Sequence, residues 1–371
     1  MFQFGHANAI TWQEAADACL AQFGKLNPDS NLGFLYATDI LSGNFAEILD
    51  YFKQKTGIVH WVGTVGIGIC STGQEYFNVP AIAAMVGDFP DDTFHILTTL
   101  SEQSEQFSRT CQSWCDSKQA MFAIIHGNPR HENIADLILQ LSEQLGESFL
   151  VGGLTSSRYT FPQIAEDIVN EKLSGVLFSS AVQVTTRLTQ GCTLISLRHQ
   201  ITEADDNVII RIDDRPALDV FFEDIGKELA DDLSQVPGRI FAALPILGSD
   251  TGDYLIRSLV GVDIEQRLLA IGEVVTAGMP LMFARRDHDS AQNDMVKMLR
   301  KLQTTLNGKV PKGAVYYSCL GRGENLFGSD SQELKIIQTI LGEFPLVGFF
   351  ASGEIYHQRL YGYTGIITLF L

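Results

Sequence analysis

A strand, loop, helix and strand closing on Val-Gly occurs three times in this chain, and that recurrence limits the folds open to it. The first copy runs from Gly33-Phe34-Leu35-Tyr36-Ala37 through a helix at 45–52 to Trp61-Val62-Gly63. The second runs from Met121-Phe122-Ala123-Ile124-Ile125 through 134–145 to Phe149-Leu150-Val151-Gly152-Gly153. The third runs from Ala314-Val315-Tyr316-Tyr317 through 334–341 to Pro345-Leu346-Val347-Gly348. From Phe34 to Val62, Phe122 to Val151 and Val315 to Val347 the spans are 28, 29 and 32 positions, each long enough for a parallel crossover through a helix. Ile134, Leu137, Ile138, Leu141 and Leu145 recur at helical spacing, while the flanking apolar runs suit strands buried on both faces. Each copy continues into another strand, at 81–86, 175–179 and 365–370, and the shared ending points to duplication.

Between the second and third copies the pattern changes. Short apolar stretches at 207–212, 268–276 and 281–284 alternate with Asp213-Asp214-Arg215-Pro216 and Ala277-Gly278-Met279-Pro280, which predicts antiparallel hairpins. A helix is predicted over 219–233, and 216–238 is the candidate hinge. The expected fold is α/β, with mixed sheets built from repeated strand-helix-strand units plus antiparallel hairpins, in two domains. Their bounds are 31–217 and 218–371, after an N-terminal extension of 1–30.

The charge balance narrows the partners. A net charge of −18 repels nucleic-acid phosphates and anionic headgroups, so neither nucleic acid nor membrane is an expected partner. The chain has no apolar run near the roughly 20 residues of a membrane span, and its start lacks a signal-peptide pattern, so a cytoplasmic location is expected. Six scattered cysteines in a chain this long read as reduced thiols. Cys111 and Cys115 lie one helical turn apart without a second Cys/His pair, so no metal site is expected.

Ligands of open α/β sheets gather where strands end at the carboxyl edge. The third copy places Tyr317-Ser318-Cys319-Leu320-Gly321-Arg322-Gly323-Glu324 after one strand and Ala351-Ser352-Gly353-Glu354 after the next. Arg322 between two glycines can take a carboxylate as a bidentate pair, and Glu354 can hold an ammonium group or pair with Arg322. Cys319 is a nucleophile only if its thiolate is stabilised and a base is in reach; His357 is the nearest histidine in sequence, and otherwise Cys319 is a packed thiol. Gly321-Arg322-Gly323 lacks both the Lys-Ser/Thr ending of a phosphate loop and the dinucleotide glycine spacing. Cys192 and His199, seven apart, need a turn or bulge between them to meet. No His-Glu-x-x-His pair occurs, but His126 and His357 follow strands of the repeats and are candidate axial ligands for a non-covalent haem.

Tyr317 to Gly328, Pro345 to Ile355 and Gly362-Tyr363-Thr364-Gly365 resemble the C-terminal FIST sensory domain. Gln190-Gly191-Cys192, Ile201-Thr202, Asn207-Val208-Ile209 and Arg215-Pro216-Ala217-Leu218 resemble the end of the N-terminal FIST domain. The likeness runs from about Asn31 to the C-terminus, with no kinase, receiver or F-box segment, as in a free-standing FIST protein. Where a Gly-Cys-Ser/Thr type of loop is expected, the first copy has Thr64-Val65-Gly66-Ile67-Gly68-Ile69-Cys70. The resemblance implies small-molecule sensing, with amino acids as suggested ligands, relayed to a separate signalling enzyme. A bacterial branch is similar to nitric-oxide-sensing proteins with haem b that regulate histidine kinases or cyclic-di-GMP enzymes, and His199 is the candidate ligand by that likeness.

The leading expectation is thus a non-enzymatic sensor whose pocket uses Cys319, Gly321, Arg322, Gly323, Gly353 and Glu354, the glycines allowing backbone approach. Its ligand is an amino acid or other carboxylate, and Arg322→Ala is expected to abolish binding without unfolding the protein. The alternatives are a haem-based gas sensor passing its signal to a histidine kinase or diguanylate cyclase, and a thiol-dependent enzyme using Cys319.

Overall fold

The computed structural model describes residues 2–97, 113–146, 148–170, 172–246 and 254–371, which form two compact units. The first comprises 1–189 and 296–371; the second comprises 190–295.

Each of the three copies forms the centre of its own six-stranded sheet in the first unit. The parallel pairs are Leu32–Thr38 with His60–Gly66, Ala120–Gly127 with Phe149–Leu154, and Gly313–Cys319 with Leu346–Ala351. The continuing strands Ala81–Gly87, Leu173–Ser179 and Gly365–Phe370 pair antiparallel with the first strand of their own copy. An edge strand then pairs with each of these: Phe2–Asn8, Phe94–Leu97 and Val184–Thr189. Phe2–Asn8 of the expected N-terminal extension is therefore a strand of the first sheet, and the helix Trp12–Ala21 that follows starts with a capping box between Thr11 and Glu14.

The sheets are completed by exchange. The hairpin after the first copy, Gly68–Ser71 and Gln74–Phe77, pairs with the third copy's Leu346–Ala351. Gln163–Ala165 and Asp167–Val169, after the second copy, pair with the first copy's His60–Gly66. Glu354–Tyr356 and Arg359–Tyr361, after the third copy, pair with the second copy's Phe149–Leu154. The three sheets have the same strand order, and the exchanges close a ring.

Register explains the shared Val-Gly. Gly63, Gly152 and Gly348 pair with Leu35, Ile125 and Tyr316, and a Cβ there would stand 1.8, 1.8 and 1.7 Å from the carbonyl oxygens of those residues. Only glycine permits that approach. Period-two alternation explains the continuous apolar runs: Phe34 and Tyr36 face a core shared by all three sheets, whereas Leu35 and Ala37 pack with Phe45, Ile48, Leu49 and Phe52 of helix Phe45–Thr56. In the second sheet Ile124 faces the shared core, while Ala123 and Ile125 pack with helix Ile134–Gln144.

In the second unit Ile240–Pro245 pairs with both Tyr254–Asp263 and Pro280–Arg285, closing an antiparallel barrel. The stretch 216–238 lies wholly inside this unit, so the expected hinge is instead part of a domain. The single helix expected over 219–233 is broken: Ala217–Ile225 stops at Gly226, whose φ is +81°, and a short helix Lys227–Asp231 follows.

Candidate functional site

Because Gly313–Cys319 and Leu346–Ala351 are parallel, the loops after them leave the third sheet at one edge. Arg322 is there, but fully buried and paired with a carboxylate of the chain itself. Its Nε donates to Glu333 Oε1 at 2.8 Å, and Tyr316 Oη and Ser318 Oγ donate to the same oxygen at 2.6 and 3.0 Å. The Gly323 N–H donates to Glu333 Oε2 at 2.7 Å, and the guanidinium lies over the Phe327 ring at 5.0 Å. Glu333 sits in the first turn of helix Gln332–Leu341, where the helix dipole favours a carboxylate. Gly323 has φ +52°, and a Cβ on it would come 2.7 Å from the Phe350 ring, so the turn around Arg322 requires glycine at this position.

Glu354 pairs with Thr364 rather than with Arg322. Its Oε2 accepts from the Thr364 N–H at 3.0 Å and the Thr364 Oγ1 at 2.9 Å. Its Oε1 has no nitrogen or oxygen donor among the described residues, although the residue is fully buried, and the Cys319 thiol is within hydrogen-bond reach of the carboxyl. Burial pushes this carboxyl up to about 8, against the pull of Thr364 and Arg322, so it carries a proton at neutral pH. Glu75, from the hairpin exchanged into this sheet, lies against the backbone of Glu333 and Leu334. Burial, with the Glu333 charge second, likewise raises it to about 8. Cys319 and Gly321 are partly exposed and Gly353 is buried, whereas Cys19, Cys70, Cys115 and Cys192 are buried thiols.

Comparison with known proteins places this edge within a domain pair. Residues 31–215 match the FIST N domain and residues 217–357 match the FIST C domain. The chain belongs to the FIST family. An uncharacterised protein of Mycobacterium tuberculosis is 29% identical over 331 residues, covering 84% of this chain and 83% of its own. An uncharacterised protein of Mycobacterium bovis is 30% identical over 192 residues, half of each chain. FIST domains are sensory modules that bind small ligands in signal transduction. The Tyr317–Gly328 turn and Glu354 both fall inside the FIST C match.

The three candidate haem histidines of this FIST protein lie in different settings. His126 is fully buried at the heart of the first unit, with Tyr36, Tyr317 and Phe349 rings 5.7, 6.2 and 5.9 Å from its own. A porphyrin reaches its nitrogen only by parting the sheets. Both ring nitrogens of His199 are taken, Nδ1 by Asp213 at 2.6 Å and Nε2 by Asp224 at 2.9 Å. His357 is half-buried in the turn between Glu354–Tyr356 and Arg359–Tyr361, 5.1 Å from the Phe149 ring. The first two do not fit an axial-ligand role, and no step is assigned to haem. Cys192 is buried, and with both His199 nitrogens engaged by carboxylates the Cys192–His199 dyad has no base to offer. Cys111 of the considered Cys111–Cys115 pair lies outside the described residues.

Sequence reasoning missed Glu333, the partner of Arg322. The signal was present, because Glu333 is four before Ile337 on the apolar face of its helix, a position that buries a charge. It also missed a buried triad: Tyr36 Oη lies 3.2 Å from His126 Nε2 and 3.0 Å from Tyr317 Oη. Each follows the residue paired with its own copy's Val-Gly glycine, so these are equivalent positions of the three copies.

Proposed function

We propose that this chain is a cytoplasmic ligand-binding sensory protein that passes occupancy to a separate signalling enzyme, such as a histidine kinase or diguanylate cyclase. The observation carrying this reading is the division of labour at the third sheet's edge. Arg322 and Glu333 neutralise each other and hold the Cys319–Gly323 turn, so this reading assigns the ligand to Cys319 and Gly321 at the surface and to Gly353 and Glu354 buried behind them. A preformed turn lowers the ordering cost of binding. Signalling follows if the ligand favours one conformation over another, since only differential affinity shifts an equilibrium. No membrane-crossing helix occurs among the described residues.

The test is a thermal-shift screen of amino acids, amines and small carboxylates, repeated with Glu354→Gln and Cys319→Leu. A hit lost in both variants supports the site; a hit kept in both relocates it. Cys319 is the most accessible of the described thiols, so the enzymatic alternative is checked on the same protein. Turnover lost on Cys319→Ser would replace the sensory reading.

A further inference from the structure

We infer that the ligand group recognised at this edge is an ammonium cation held by Glu354 Oε1, and not a carboxylate held by Arg322. The inference rests on the sensory reading above and names its ligand class. A carboxylate entering at Arg322 would stand against Glu333, an anion already fixed there by donors from Arg322, Tyr316, Ser318 and Gly323. Two buried carboxylates at one guanidinium repel each other, which disfavours an anionic ligand group there. Glu354 presents the opposite case: one oxygen is satisfied by Thr364, and the carboxyl's other side-chain neighbour is the Cys319 thiol, a weak donor, with no nitrogen or oxygen donor on Oε1 among the described residues. An ammonium group brings only donors and matches that acceptor. The Cys319 thiol, which reaches the carboxyl, is itself partly exposed. The net charge of −18 draws cations, not anions, toward the surface.

Binding a cation requires Glu354 to give up its proton. The titratable and charged groups facing it are Cys319 and Arg322 from the turn and Tyr361 across the hairpin. Arg322 is neutralised by Glu333, so Glu354 sets the pH dependence. Affinity therefore rises with pH toward about 8. The slope is about tenfold per pH unit, and it reverses once the ligand amine deprotonates.

Calorimetry on the full chain with n-butylammonium, n-butyrate and 2-aminobutyrate distinguishes the cases. The first and third should bind and butyrate should not, with butylammonium about tenfold tighter at about pH 7.5 than at about pH 6.5. Glu354→Gln should weaken butylammonium at least about tenfold, whereas Glu75→Gln should leave it unchanged. Cys319→Leu, at a partly exposed position, should block entry in a folded protein and covers the case of a Glu354 variant that does not fold. Butyrate binding that survives Glu354→Gln would overturn the ammonium assignment and leave the sensory reading intact. No binding by these probes or by the wider amino-acid and amine panel would overturn both.

Discussion

Arg322 and Glu333 face each other across 2.8 Å with neither side chain exposed to solvent. Removing one member of such a pair leaves an uncompensated buried charge, at a cost of about 3–5 kcal/mol. Arg322→Ala and Glu333→Ala should therefore each lower the unfolding midpoint in urea sharply. This reverses the expectation that Arg322→Ala spares the fold. An Arg322→Ala protein as stable as the parent would remove the scaffold role.

The glycines of the three Val-Gly segments should resist the smallest substitution. Gly348→Ala places a methyl 1.7 Å from the Tyr316 carbonyl oxygen, so strands must separate. A loss above about 3 kcal/mol, or insoluble protein, is expected. Gly43→Ala, with no atom within 4 Å of the new Cβ, is the matched control and should stay within about 0.5 kcal/mol. Chemical denaturation of both proteins decides this.

Stability should fall on both sides of an intermediate pH. Glu354, raised by burial to about 8 from an ordinary 4.5, stays protonated in the folded state where the unfolded chain has ionised. Its contribution is full below 4.5 and is lost as pH climbs toward about 8, and Glu75 adds in the same direction. His126, lowered by burial to about 3 from 6.5, contributes fully above 6.5 and loses that contribution as pH falls toward 3. Melting curves across this range should flatten on the alkaline arm in Glu354→Gln and on the acid arm in His126→Gln. Unchanged slopes in either variant would detach that residue from its arm.

Tyr36 is the middle member of the triad, bonded to both His126 and Tyr317. Tyr36→Phe strands two buried partners and should cost about 2 kcal/mol, whereas Tyr317→Phe strands one and should cost about 1 kcal/mol. The reverse order, measured by denaturation of the two single variants, would mean that the hydrogen bonds run differently through the core.

The local and periodic features of this fold are legible along the chain. Ile134, Ile138 and Leu141 mark a buried helix face because helical spacing is a property of neighbours in the chain. The repeated Val-Gly marks three parallel crossovers because a close backbone approach admits no side chain. The edge carrying Cys319, Arg322 and Glu354 follows from strand direction. The pairing of distant side chains emerges only once the sheets are assembled. Arg322 takes Glu333 and Glu354 takes Thr364, although spacing alone allowed Arg322 to pair with Glu354. Hairpins from each copy complete the sheet of another, and that exchange brings Glu75 to the third copy's edge. Tyr36, His126 and Tyr317 meet although they lie 90 and 281 positions apart. The physical reason is range: periodicity encodes which face is buried, whereas the partner of a buried polar group depends on donors and acceptors that distant segments bring to the same core.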